Sequence, residues 1–288
     1  MKRLIYVGCF AVLLVAAGAC KEKQDELGKG KVGEVEWRLK GETLTFSGKG
    51  AIPDDWGEKH WRNSTLLEYW TDAEFIKAIV IEEGITSIGI SAFWRGNFSY
   101  ITIPNSVTSI GSNAFLECEN LKSVKISNSV TSIEYGTFMG CKNLESVTIG
   151  NGVKTIGDGA FLGCCDLSFV YIGNNVTTIE SNAFWGCHSL KSVVIPNSVT
   201  SIEYGAFENC YELKFLTIGS GVTSFGEGAF KNCGNLTYIT NLNPVPAYID
   251  ITIFLNVYKK YCELKVPASA VSAYQNAEVW KEFNIVGM

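Results

Sequence analysis

The sequence predicts an α/β-type, mostly β repeat protein: a solenoid of about seven coils of 23 residues, its strands stacked in parallel. Three observations carry this. Phe recurs at 93, 115, 138, 161, 184, 207 and 230, six times after Ala and once after Thr, with one spacing of 22 and five of 23. Other columns keep the same beat, among them Leu121 to Leu236, Ile126 to Ile218, Val107 to Val222, and Ile110 to Ile202 continued by Phe225. Within a unit, as in Leu121-Lys122-Ser123-Val124-Lys125-Ile126, apolar and variable residues alternate with the period of a half-buried strand.

Each element of the coil follows from its residues. Turn-forming residues come after the strand: Ser127-Asn128-Ser129, Gly150-Asn151-Gly152, Gly173-Asn174-Asn175 and Pro196-Asn197-Ser198. A second short extended piece follows, such as Val130-Thr131-Ser132-Ile133, then one expected helical turn at the Phe, then a return through Cys141 to the next strand. A single coil leaves its apolar columns uncovered, so only stacking against neighbours forms a core. Parallel strands in register about 4.8 Å apart turn each sequence column into a spatial ladder.

The motif L-x-x-V-x-I-x-N-x-V-T-S-I-x-x-x-A-F-x-x-C resembles the BspA-like class of leucine-rich repeats. The resemblance implies a leucine-rich-repeat solenoid on a secreted or lipid-anchored bacterial surface protein. The implied partner is a host or matrix protein or another cell-surface protein, so the chain reads as a non-enzymatic, adhesin-like binding protein. Two alternatives stand beside it: a carbohydrate-binding surface lipoprotein whose partners are glycans, and a purely structural envelope component.

The repeats divide the chain. Residues 1–19 read as an export signal, with Lys2 and Arg3 before an apolar run from Leu4 to Ala19 that is short for a membrane span. Ala17-Gly18-Ala19-Cys20 resembles a lipobox, with Ala17 where Leu is usual, which makes Cys20 the expected lipidation site. Cleavage after Ala19 without lipid is the alternative. The resemblance places the anchor in the outer membrane, on the surface of a Gram-negative cell. Removing Lys2 and Arg3 with the signal takes the net charge from −5 to −7. Residues 20–33, polar and rich in Lys, Glu and Gly, read as a flexible tether. Residues 34–75 form an expected N-terminal cap, a hairpin around Lys40-Gly41-Glu42 backed by Trp56, Trp61 and Trp70. The solenoid spans 76–242. The C-terminal cap, 243–288, should hold a strand at Glu263 to Val266 and a helix from Pro267 to Phe283 with Tyr274, Trp280 and Phe283 on one face.

Composition excludes several functions. No block of Lys or Arg interrupts the chain, so neither a nucleic acid nor an anionic membrane has a landing site, and contact with a membrane runs only through the lipid. Six of the ten cysteines, Cys118, Cys141, Cys164, Cys187, Cys210 and Cys233, sit 23 apart, which is the repeat period and no ligand spacing. They read as small hydrophobes in a narrow core position. A disulfide through Cys165 or Cys262 stays open because exported chains meet oxidants. With only His60 and His188 and no Cys-x-x-Cys pair, no metal site and no cofactor is expected. The Cys187-His188 pair lacks an orienting acid or amide, and the column of Glu134, Glu180 and Glu203 reads as a solvated edge, so no catalytic residue is assigned.

The binding site is expected on the outward face of the strands. In Leu167-Ser168-Phe169-Val170-Tyr171-Ile172, Val170 and Ile172 match core columns, so Phe169 and Tyr171 must point outward. Val194 and Phe215 follow in the next two coils, and Tyr100 and Tyr238 occupy the Phe169 column nearer the ends. Folding requires no aromatic there, so these six residues are the candidate contact surface, bordered by Lys122, Lys191 and Lys214.

Overall fold

A computed structural model describes residues 26–56 and 76–288. The export signal, Cys20, His60, Trp61 and Trp70 lie outside the described residues. Strand β1 (Glu26–Val32) pairs antiparallel with β2 (Val35–Lys40), which pairs antiparallel with β3 (Thr43–Gly48). From β3 onward every neighbour is parallel. The ladder runs through Ala78–Ile81, Tyr100–Thr102, Ser123–Ile126 and Ser146–Ile149 to Phe169–Tyr171. It resumes at Ser192–Ile195 and continues through Phe215–Ile218, Tyr238–Asn241 and Glu263–Val266 to Asn284–Gly287. A second layer stacks the short strands, for example Ser132–Ile133 on Thr155–Ile156 on Thr178–Ile179.

The solenoid has about nine turns, more than the seven expected. Both caps extend the parallel sheet: β3 starts it and the strands at 263 and 284 finish it. The expected tether is also shorter, because residues 26–32 form β1. Its alternate Lys and Gly residues pair with β2 across nearly its whole length.

The third layer differs from the helical turn expected at each Phe. Its backbone is a chain of tight turns in which alternate N–H groups bond locally and to the next coil. Thus Leu116 N–H donates to Asn113 O at 3.0 Å, whereas Phe115 N–H donates to Thr137 O at 2.9 Å. Two residues per coil, four apart, adopt left-handed φ, as at Gly136 (60°) and Gly140 (71°) and at Asn182 (54°) and Gly186 (71°). That requirement explains the Gly/Asn columns flanking each Phe from 138 to 230, while the first two coils set Ser91, Arg95 and Glu117 in the same conformation.

The Phe rings form one stack through the core. Centroids from Phe93 through Phe115, Phe138, Phe161, Phe184, Phe207 and Phe230 to Phe254 are 5.1 to 5.4 Å apart, with interplanar angles of at most 14°. Phe254 is an eighth member, displaced to a spacing of 24. At either end the stack meets rings turned across it, Phe46 on Phe93 at 5.6 Å and Trp280 on Phe254 at 5.6 Å. Edge-on rings close an aromatic column favourably because they offer positive edges to its faces.

The C-terminal helix is shorter than expected. Helix α1 covers Val271–Asn276 alone, and the chain then turns tightly at Val279 (φ 64°, ψ −49°), where Trp280 N–H donates to Glu278 O at 2.7 Å. This turn, in place of a helical face, brings Trp280 to Tyr274 at 5.5 Å and to Phe283 at 6.0 Å. Trp280 Nε1 donates to Ala247 O at 2.8 Å and Tyr274 Oη to Asn243 O at 3.0 Å, so both buried polar tips are satisfied.

Candidate functional site

The strand register decides what the outward face presents. Ser146 pairs with Phe169, Thr148 with Tyr171, Ser192 with Phe215, Val194 with Thr217 and Phe215 with Tyr238. Between them lie the inward residues Val147, Val170, Val193, Leu216 and Ile239, all buried. All six candidate residues point outward, with exposures from 41% at Tyr171 to 62% at Val194, too high for core positions.

Five of the six come together. Phe169 and Phe215 lie two rungs apart, about 10 Å at strand spacing, with Tyr171 and Val194 beside them. Phe215 stacks on Tyr238 with centroids 5.3 Å apart and planes 10° from parallel. Lys214 Nζ stands 5.4 Å from the Phe215 ring centre, a cation–π contact at the rim of the patch. The backbone ladder divides between Phe169–Tyr171 and Ser192–Ile195, so the patch lies over the junction of two sheets. Tyr100 stands apart, separated from Phe169 in its column by Ser123 and Ser146. Of the bordering cations, Lys191 and Lys214 are exposed, and Lys122 pairs with Glu145 at 3.0 Å.

Further exposed rings lie off the strand face. Tyr135 and Tyr204 occupy one corner column, directly after Glu134 and Glu203, a signal that the repeat carries and that the strand alternation does not. Tyr211, stacked on His188 at 5.0 Å, lies on another. Tyr248, Tyr258 and Tyr261 fall in the last irregular coil, where no period exists to align them.

The cysteine column is buried throughout. Each thiol donates to the Phe carbonyl of the preceding coil, from Cys118 on Phe93 O at 3.0 Å to Cys233 on Phe207 O at 3.3 Å. The carbonyl that accepts the Cys141 thiol, Phe115 O, also accepts the N–H of Cys118 at 3.2 Å. Burial pushes the Cys141 and Cys233 thiols up to about 12, and raises those of Cys118, Cys164, Cys187 and Cys210 well above the usual range. All eight cysteines among the described residues are free thiols. Cys187 is sealed in the core while the neighbouring His188 ring lies on Tyr211. In the acidic column, Glu180 accepts the N–H of Asp158 at 3.0 Å and Glu134 accepts the hydroxyl of Ser132. No group of three His, Cys, Asp or Glu among the described residues has the placement to hold a metal ion. No described helix is long and apolar enough to cross a membrane.

Among solved structures, a leucine-rich repeat protein of T. pallidum is similar at 22% identity and a TM-score of 0.53, over 73% of this chain and 91% of that one. A leucine-rich cell surface protein of Faecalibacterium prausnitzii aligns over 90% of this chain and 94% of its own at 21% identity and a TM-score of 0.42. A leucine-rich repeat protein of Bacteroides ovatus gives 20% identity and 0.42 over 90% and 78%. No curated protein matches the sequence significantly. At these identities the first likeness speaks for the fold alone. The family assignment rests on the sequence, which matches the BspA type leucine rich repeat region in six copies over residues 69–191 and 177–277. The match covers well over half of the chain, and this protein belongs to the BspA-type leucine-rich repeat family.

Proposed function

We propose that this is a non-enzymatic surface protein, exported and held in the outer membrane by lipid on Cys20, that binds another protein through the outward face of its strands. Leucine-rich repeats of this kind typically mediate protein–protein contact. The observation that carries the reading is the cluster of Phe169, Tyr171, Val194, Phe215 and Tyr238, exposed together where folding calls for Ser, Thr or Lys, as the other strands illustrate. Rigid rings lose little conformational entropy on contact and anchor protein interfaces. Lys191 and Lys214 at the border favour a partner with carboxylates around an apolar centre. Tyr100 is an outlying member of the same face.

The test uses the chain from residue 26 onward against a panel of immobilised host matrix proteins. Replacing Phe169, Tyr171 and Phe215 together by Ser should weaken the strongest interaction at least tenfold, about 1.4 kcal/mol or more, and leave the melting temperature within a few degrees. Unchanged binding by a folded triple variant contradicts the assignment of this face.

A further inference from the structure

The alternation that sets rings in the middle of the outward face gathers a different set at its N-terminal end. Lys29, Lys31, Arg38 and Lys40 are never adjacent in sequence, so they form no basic block. In the folded sheet Lys29 stands directly across from Arg38, and Lys31 across from Glu36. Their parity along β1 and β2 sends all four cations to one face, while Val35 and Leu39 between them are buried with Leu44 and Phe46. With Thr45, Ser47, Glu36 and Glu82 the four line a hollow of about 610 Å³. The hollow thus gathers positive charge around Arg38 in a chain whose net charge is −5.

Local pairing accounts for Lys31, ion-paired with Glu36 at 3.4 Å, and for Lys40, set across from Glu26, but not for Arg38 set across from Lys29. Like charges directly opposite on paired strands weaken a sheet. Lysines on an edge strand guard against unwanted pairing, which would explain Lys29 and Lys31 on β1. Arg38 lies on β2, which is paired on both sides.

We infer that this hollow binds an acidic polysaccharide, a sugar chain carrying carboxylate or sulfate groups. The guanidinium of Arg38 supplies charge-assisted, bidentate donors for those anions, and the neighbouring ammonium groups add positive charge around it. The hydroxyls of Thr45 and Ser47 and the carboxylates of Glu36 and Glu82 match sugar hydroxyls. An acidic protein is a poorer fit, because Val35 and Leu39 face inward and Trp37 alone of the hairpin's apolar side chains borders the hollow, too little for the apolar centre of a protein interface. The column that begins at Lys40 runs through Thr43 and Ala78 to Tyr100, three strands away or about 14 Å. That isolated exposed ring, set apart from the aromatic patch, offers a sugar-stacking platform at the far end of a short oligosaccharide.

The test is calorimetry of a heparin oligosaccharide with the protein, at low and high salt. Binding should occur at low salt, weaken steeply as salt rises, and fall at least tenfold in an Arg38→Ser/Lys40→Ser variant. Lys125→Ser, on the same face outside the hollow, should change it less than twofold, and so should the Phe169/Tyr171/Phe215 triple variant. That last result separates this site from the protein-binding patch, since either can fail without the other. Should the double variant melt early, Arg38→Gln alone decides, with a threefold or greater loss expected. The inference is overturned if heparin does not bind, if the folded cation variants bind it as the parent does, or if duplex DNA binds more tightly than heparin.

Discussion

Replacing Phe161 by Ala should break the solenoid at its middle. The ring is fully buried and stacked on both neighbours, Phe138 at 5.3 Å and Phe184 at 5.2 Å. Truncating a buried Phe costs about 3–5 kcal/mol, more where the surroundings cannot collapse into the cavity. Here they cannot, because alternate backbone groups on either side are bonded to the next coil, Phe138 N–H to Ala160 O and Phe161 N–H to Ala183 O, both at 2.8 Å. Two stacking contacts, about 0.5–1.5 kcal/mol each beyond buried area, are lost as well. We therefore expect the upper part of the range, about 4–5 kcal/mol, against a typical total stability of about 5–15 kcal/mol. Since each coil touches only its neighbours, the loss falls on two interfaces, and urea unfolding followed by circular dichroism should separate into two steps. Phe215→Ala is the control: that ring also stacks on a neighbour at 5.3 Å, but it is solvent-exposed. It should cost about 1 kcal/mol or less. If the two variants unfold within about 1 kcal/mol of each other, the stacked column is not what holds the coils together.

The thiol column gives two further expectations. Cys141→Ala should cost about 1 kcal/mol through a small cavity and a lost S–H···O contact, and thiol titration of the folded chain should label Cys165, the one partly exposed cysteine described, well before the others; a denatured chain with few reactive thiols would reveal cross-linking instead. The folded values of Cys141 and Cys233 are raised from 9.0 to about 12, so the unfolded chain loses these protons first as pH rises. Their contribution is complete below pH 9 and fades towards pH 12; thermal melts should show that decline, and it should be shallower in Cys141→Ala/Cys233→Ala. At the anchor, labelled fatty acid should enter the full-length protein in its bacterial host and be absent from Cys20→Ser; incorporation into the Ser variant would remove the lipid assignment.

The repeat makes the coil legible because stacking forces one residue type on each ladder. Phe93 to Phe230, the cysteine column and the outward parity of Phe169 and Tyr171 all stand in the linear pattern of the chain. What breaks the period does not. Phe254 hides behind a spacing of 24 and an Ile in place of Ala, so the period stops one coil short. The strands at 43, 263 and 284 carry ordinary alternation, and nothing in it indicates that they join the parallel ladder rather than cover its ends. The interval of six from Tyr274 to Trp280 does not fit a helical face, and the tight turn at Val279 that reconciles it depends on the buried destination of Trp280. The cations of β1 and β2 look scattered along the chain and converge only through the strand register.

Photo-crosslinking from matched positions on two faces distinguishes recognition by the outward strand face from recognition elsewhere on the coil. Val194 and Tyr135 are comparably exposed, at 62% and 52%, but belong to different layers of the coil. With a benzophenone side chain at one position or the other, and the best-bound matrix protein as partner, capture is expected from position 194 and not from position 135. Capture from 135 alone, or equally from both, would place recognition on another face and contradict binding through the strands.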